Sequence, residues 1–387
     1  MSFTSLTVLC HGRTIGDDLL FPDSDFIARR AKVNDIMTEK GLDGIIAYTD
    51  TLTRGNVCYL TNFHNFLGWA SSILVLAKGK EPIVLATIAP RDLEFTRAIV
   101  PKFVEIIPVG LSLKSNEHIS VKTIEYLKEK GILDKKWGFI NTAAMPSMVL
   151  EPWTTAFPNG LTDVTEEYGA LRTFKSDSEI YAISQASSMA KKAVFEYLRQ
   201  AKPGVNESVL AAKIDRQVRI NGADAVSLLT YGGKGDETML RVPWERNFEE
   251  GDTVSAFANV QLQRYNGAFG TTAVIGAKTA DQEKLFEAAN VLFNKKIEKM
   301  VATHKTVIGY QEDVCKEGNH YNTVVNGVGI DLVEYPMAYG TEADLKPGMT
   351  ITLSLNVYKK GVGSVFMSQN LLIGKEGIVL MSGLGKQ

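Results

Sequence analysis

The sequence predicts an α+β chain of two domains: a smaller α/β domain, then a larger one with helices outside curved sheets. Three observations carry this. Helix and strand patterns alternate over roughly the first 160 residues. In the second half the order long helix, breaker, short helix, glycine and strands occurs twice. Between them lies a Pro-rich stretch, from Met145-Pro146 through Glu151-Pro152-Trp153 to Phe157-Pro158-Asn159-Gly160. Such punctuation marks domain boundaries, which gives domains 1–163 and 164–387.

The elements follow in order. Ile27, Ala31, Val33, Ile36 and Met37 keep helical spacing, and that helix stops at Gly41. Gly44 to Tyr48, Ser72 to Ala77 and Pro82 to Thr87 read as short apolar strands. Arg91 to Ile99 reads as helix, Val104 to Pro108 as strand, Ile119 to Lys130 as helix and Trp137 to Asn141 as strand. In the second half, Ser176 or Asp177 caps an amphipathic helix running to about Gln200. Lys202-Pro203-Gly204 breaks it, and a second helix runs from Asn206 to Ile220. Strands are predicted at Ala225 to Thr230, Asp252 to Gln261 and Gly270 to Ala277. The repeat of this order places a helix over Thr279 to Thr303, a short helix over Tyr310 to Glu317, and strands at Ile330 to Val333, Met349 to Tyr358 and Gln369 to Ile373.

Composition narrows the function. Apolar residues make up 45% and charged residues 22% of 387, which fits a well-packed chain. The net charge of -2 offers nucleic acid or an anionic membrane no global attraction. No run approaches the ~20 apolar residues that span a bilayer. Cys10, Cys58 and Cys315 lie far apart and form no metal-type pair, which points to a reducing, cytoplasmic setting.

Five local motifs in order carry a resemblance. They are Val57-Cys58-Tyr59-Leu60-Thr61-Asn62-Phe63, Arg172 to Ile180, Glu250-Gly251-Asp252-Thr253-Val254, Asn326 to Pro336 and Leu345-Lys346-Pro347-Gly348-Met349-Thr350-Ile351-Thr352. Together they resemble the creatinase/aminopeptidase P/methionine aminopeptidase family, peptidase M24, over nearly the whole chain. The resemblance implies the pita-bread fold: pseudo-twofold curved sheets with outer helices, after a creatinase-type N-terminal α/β domain. It also implies a dinuclear metal site held by two Asp, one His and two Glu. Carried over by position, those ligands fall on Phe257, Ala268, Asn326, Ser354 and Ser368. A metal pair needs several anionic oxygen or nitrogen ligands, so no metal and no cofactor are expected. Creatinase, a metal-free member, is not matched either: its His slot falls near Met239, Leu240 and Arg241, and its Glu slot on Gly270.

The pocket that the resemblance implies is lined by Phe257, Asn259, Ala268, Asn326, Val333, Ser354 and Ser368. That lining suits a small organic molecule with few charges. Glu334 follows the lost His of the family's HExP segment; buried without a cation, it would be a neutral acid suited to proton transfer. On that reading Glu334→Gln keeps the fold and cuts turnover. Glu237 is a candidate base, Arg241 a carboxylate clamp and Tyr231 an oxyanion donor. His64, with Arg54, Asn62 and Trp69, follows the segment that reaches a partner's active site in dimeric members of the family. The expectation is therefore a metal-independent, creatinase-like homodimer, not a metal aminopeptidase. It would act on a small amino-acid-derived or heterocyclic molecule by hydrolysis or elimination at a C–N or C–C bond. The alternative is a non-catalytic descendant that binds a ligand or protein.

Overall fold

The computed structural model describes residues 21–50, 53–65, 70–109, 115–235, 237–238, 240–314, 319–337 and 339–384. These fall in two compact units, one running to Arg172 and one starting at Thr173.

In the first unit, α1 (Asp23–Glu39), β1 (Gly44–Thr49), α2 (Gly55–Thr61), β2 (Ser72–Ala77) and β3 (Ile83–Ala86) come first. Then follow α3 (Leu93–Ile99), β4 (Glu105–Pro108), α4 (Ser115–Glu129), β5 (Trp137–Ile140), α5 (Ser147–Ala156), β6 (Thr162–Asp163) and α6 (Thr165–Leu171). The strands form a mixed sheet in the order β4-β3-β2-β1-β5-β6. β1 and β2 pair antiparallel, whereas β1 and β5 pair parallel. Every residue of β1 is buried, as a strand covered on both faces must be. Much of the Pro-rich stretch, read as marking the domain boundary, forms helix α5 with Pro152 inside it. Val149, Trp153 and Phe157 recur every four residues and are buried. The Trp153 ring packs on Phe139 at 5.7 Å and on Phe157 at 5.9 Å. Burial of that stripe outweighs the roughly 3 kcal/mol a helical proline costs.

The segment Val57 to Phe63 forms α2 and its exit. Asn62 takes the left-handed conformation at the helix end (φ 56), and its side-chain amide donates to Ile99 O at 2.6 Å. Arg29 donates to Tyr59 O at 2.9 Å.

The second unit holds α7 (Asp177–Gln200), α8 (Glu207–Ile220), β7 (Ala225–Gly233), β8 (Thr253–Leu262), β9 (Tyr265–Val274) and α9 (Ala280–Thr303). It continues through β10 (Lys305–Val307), β11 (Gly309–Val314), β12 (His320–Gly327), β13 (Glu342–Asp344), β14 (Thr350–Lys359), β15 (Gly363–Ile373) and β16 (Ile378–Leu380). Ser176 with Glu179 and Thr279 with Gln282 form capping boxes that start α7 and α9. One large sheet runs β11-β12-β14-β15-β9-β8-β7, with β16 beside β15. The two halves meet where β9 pairs with β15. On the outer face, α7 and α8 bury Val194, Leu210 and Ile214 against Ala256, Ala258 and Val260. Leu285, Ala289 and Phe293 of α9 pack likewise on Ile351, Leu353 and Val365. Each large aliphatic side chain buried this way contributes about 1.5–3 kcal/mol.

Two predicted elements differ here, and one strand was not expected. Tyr310 to Glu317 is expected as helix by analogy with the first half; its described part, Tyr310 to Val314, belongs instead to strand β11, paired with β12, and Cys315 to Glu317 lie outside the described residues. β12 itself was not expected. Ile330 to Val333, expected as strand, is an irregular connection tied back by an isolated bridge between Gly327 and Glu334. Tyr310 is 57% exposed and sits opposite Val324, so strand pairing holds this segment.

Candidate functional site on the inner face of the large sheet

Alternation along the strands decides which side chains face inward. In β8 the even residues Ala256, Ala258 and Val260 belong to the outer core, so Ser255, Phe257, Asn259 and Gln261 point the other way. Cross-strand partners continue that face as a row: Phe257 opposite Gly270, Gly270 opposite Ser368, Ser368 opposite Ser354, and Ser354 opposite Val324. Four positions that the resemblance links to the metal pair, Phe257, Ala268, Ser354 and Ser368, thus share one face with Asn259 and Asn326.

Aromatic rings and neutral polar groups fill this face. The Phe257 ring meets Phe366 edge to face at 6.1 Å. Gly270 makes room for that pair: a Cβ there would lie 2.5 Å from the Phe366 ring and 3.3 Å from Ala256 O. The hydroxyls of Ser354 and Ser368 bond each other at 2.8 Å, and Ser368 is fully buried. Asn326 donates through its amide to Gly327 O at 2.8 Å and Leu332 O at 3.1 Å, fixing the connection that follows β12. Asn259 donates to Asn266 Oδ1 at 2.9 Å, and Asn266 donates to Ile330 O at 2.7 Å. Ala268 is fully buried, and its N–H donates to Asn370 Oδ1. Asn370 in turn donates to Thr352 Oγ1 at 3.0 Å. Val333 lies in the connection after β12 and is 37% exposed.

These residues do not fit a dinuclear metal pair. None of the five positions carries a carboxylate or imidazole, and among the described residues no group of three or more His, Cys, Asp or Glu gathers to hold an ion.

Glu334 is not the isolated acid that the sequence suggested. Its Oε1 lies 2.8 Å from Lys175 Nζ, with both side chains buried. The cation comes from the segment entering α7, whose Lys175 N–H also donates to Gly348 O at 2.9 Å. A fixed ammonium favours the charged carboxylate, so the proposed neutral proton donor is corrected to half of a buried ion pair. Gly329 is required beside it, since a Cβ there would overlap the Glu334 carboxyl.

Arg241 and Glu237 do not work together. Arg241 Nη1 donates to the fully buried Glu207 at 3.1 Å, and its guanidinium lies 5.7 Å from the Tyr231 ring and 5.0 Å from the Trp244 ring. Tyr231 is half-buried on β7. Glu237 pairs instead with His320 Nε2 at 2.7 Å, and the His320 ring packs on Tyr358 at 5.2 Å. Nearby, loss of solvation and the Glu312 and Glu237 carboxylates push the Tyr310 phenol up. His64 is half-buried in the first unit; Trp69 and Met239 lie outside the described residues.

Sequence reasoning missed His320, Asn356, Phe366 and Asn370. A period-2 reading of β12, β14 and β15 finds all four on the face that carries Asn326, Ser354 and Ser368.

The model for metallopeptidase family M24 matches residues 181–375. The Xaa-Pro dipeptidase of Pyrococcus horikoshii is 26% identical over 356 residues, covering 89% of this chain and 94% of the relative. Among solved structures, the prolidase from Pyrococcus horikoshii OT3 aligns with TM-score 0.70 at 19% identity, covering 92% of this chain and 98% of that one. The Xaa-Pro dipeptidase from Bacillus anthracis aligns with TM-score 0.70 at 18% identity, covering 94% and 99%. The pita-bread architecture with its N-terminal α/β domain is therefore as expected. No described helix is long and apolar enough to cross a membrane. The functional expectation is overturned. A metal-independent, creatinase-like hydrolase or lyase for a small molecule, set apart from the metal aminopeptidases, conflicts with a metallopeptidase family and with relatives named as Xaa-Pro dipeptidases. The matched segment spans half of the chain, from the second turn of α7 to just past β15, and the chain belongs to metallopeptidase family M24.

Proposed function

We propose that this chain takes as ligand a short peptide in which a residue is followed by proline, the class named for its relatives. The observation that carries the reading is Asn356. Its side-chain oxygen is buried without a hydrogen-bond partner among the described residues. Its cross-strand partner is Phe366, whose ring packs edge to face with Phe257. A buried acceptor left without a donor costs about 1–3 kcal/mol. A peptide N–H or terminal ammonium supplies that donor, and the aromatic pair offers an apolar wall suited to a pyrrolidine ring. Asn259 Oδ1, likewise without a partner, is a second acceptor on the same face. These side chains support recognition of the peptide; they supply no metal ligands for its cleavage. Resemblance to dimeric members of the family supports a homodimer, and the scattered cysteines support a reducing, cytoplasmic setting.

Calorimetric titration tests the reading. Ala-Pro is expected to bind at least about tenfold more tightly than Ala-Gly. Equal or absent binding of the two dipeptides would overturn it. Following Ala-Pro hydrolysis with and without Mn2+ in the same samples separates recognition from turnover.

A further inference from the structure

On the outer side of the second unit, α7, α8 and the turn Met381–Gly383 enclose a cavity of about 570 Å3. That volume lies within the range of roughly 300–1,000 Å3 typical of small-molecule sites. The wall is apolar, built from Met189, Ala193 and Phe195 of α7 and Ile214 and Val218 of α8. Phe195 leaves 51% of its surface uncovered while its ring leans on Phe269 at 5.5 Å.

The rim is basic. Lys191 and Lys192 both line the cavity, and neither has an acidic partner among the described residues. The third cation, Arg199, is matched by Glu196 at 2.5 Å, and Glu196 also accepts from Gln200. Arg199 and Glu196 therefore cancel, and two ammonium groups remain beside an apolar wall. A neutral apolar ligand would leave them uncompensated, and a cation would be repelled. Two helices and a turn bound the space, which suits a short molecule better than a docked helix.

We propose that this cavity is a binding site for an amphipathic anion with an apolar body and a single acidic head. The body lies on Phe195, Ile214 and Val218, and the head sits between Lys191 and Lys192. The site lies on the opposite side of the sheet from Phe257 and Asn356 and does not depend on the peptide reading.

Isothermal titration of the full chain with sodium decanoate tests the site. One decanoate per chain is expected. Lys191→Gln/Lys192→Gln should weaken binding by about tenfold or more and flatten its salt dependence. Gln217→Trp, an exposed lining position, should block the cavity without touching the core. Lys213→Gln, which lies outside the lining, should bind as the unaltered protein does. Thermal unfolding confirms that each variant is folded. Absence of saturable binding at millimolar decanoate overturns the proposal. So does unweakened binding by the double-lysine variant, or by Gln217→Trp.

Discussion

Lys175 Nζ and Glu334 Oε1 lie 2.8 Å apart with both side chains buried, and they join the entry of α7 to the connection after β12. Deleting one partner of a buried ion pair leaves an uncompensated charge and costs about 3–5 kcal/mol. Lys175→Met and Glu334→Gln should each lower the unfolding free energy by that amount in urea titrations. Lys175→Met/Glu334→Leu, which removes both charges, should recover most of the loss. A single-variant cost below about 1 kcal/mol would show that the pair contributes little. The sequence alone suggested that Glu334→Gln would be structurally silent; Lys175 reverses that expectation.

Gly270 is the tightest point under the aromatic pair. Gly270→Ala places a methyl 2.5 Å from the Phe366 ring. Overpacking of this kind costs about 1–3 kcal/mol. Phe366→Leu in the same chain should restore stability by opening the contact. If the double variant is no more stable than Gly270→Ala, the clash with Ala256 O, rather than Phe366, sets the cost.

Phe257→Ala removes one wall of the proposed peptide site. Its ring is half-buried and packs edge to face with Phe366. Ala-Pro affinity should fall by about tenfold or more, with Ala-Gly affinity nearly unchanged. A uniform loss for both dipeptides would indicate general unfolding of the face instead of lost contact with the ring.

The Glu196 carboxyl is held below its ordinary value of 4.5, first by the hydrogen bond from Arg199. A carboxyl lowered on folding adds stability above its unfolded pKa. That stability fades as pH falls through the folded value. Arg199→Gln should therefore raise the Glu196 titration midpoint in carboxyl NMR. Both groups are largely solvated, so the stability change itself should be small. An unmoved midpoint would show that Gln200 and Lys213 hold the carboxyl without Arg199.

The elements legible in the sequence were those with strong local grammar. Ser176 and Glu179 announce α7, and Thr279 and Gln282 announce α9, because capping boxes act within four residues. The start of β9 at Tyr265 was missed because its turn, Gln263-Arg264, has positive φ at both residues without a glycine to signal it. Arg264 N–H donates there to Asp224 at 2.8 Å, a bond from a residue 40 positions away. β11 was read as helix because the second half was expected to copy the first. At the site, position by position comparison located Phe257, Asn326, Ser354 and Ser368. It could not find Lys175 beside Glu334 or His320 beside Glu237, since both contacts close loops of more than 80 residues.

Gly267 faces α7 so closely that a Cβ would lie 2.1 Å from Ser187 N. Its neighbours Asn266 and Ala268 turn the other way. Sliding β9 by one residue would drive one of their side chains into the helix backbone and swing Gly267 toward the inner face. A single missing methyl group on the far side of the sheet therefore acts as a detent. It sets which side chains line the inner face, although it is not part of that face.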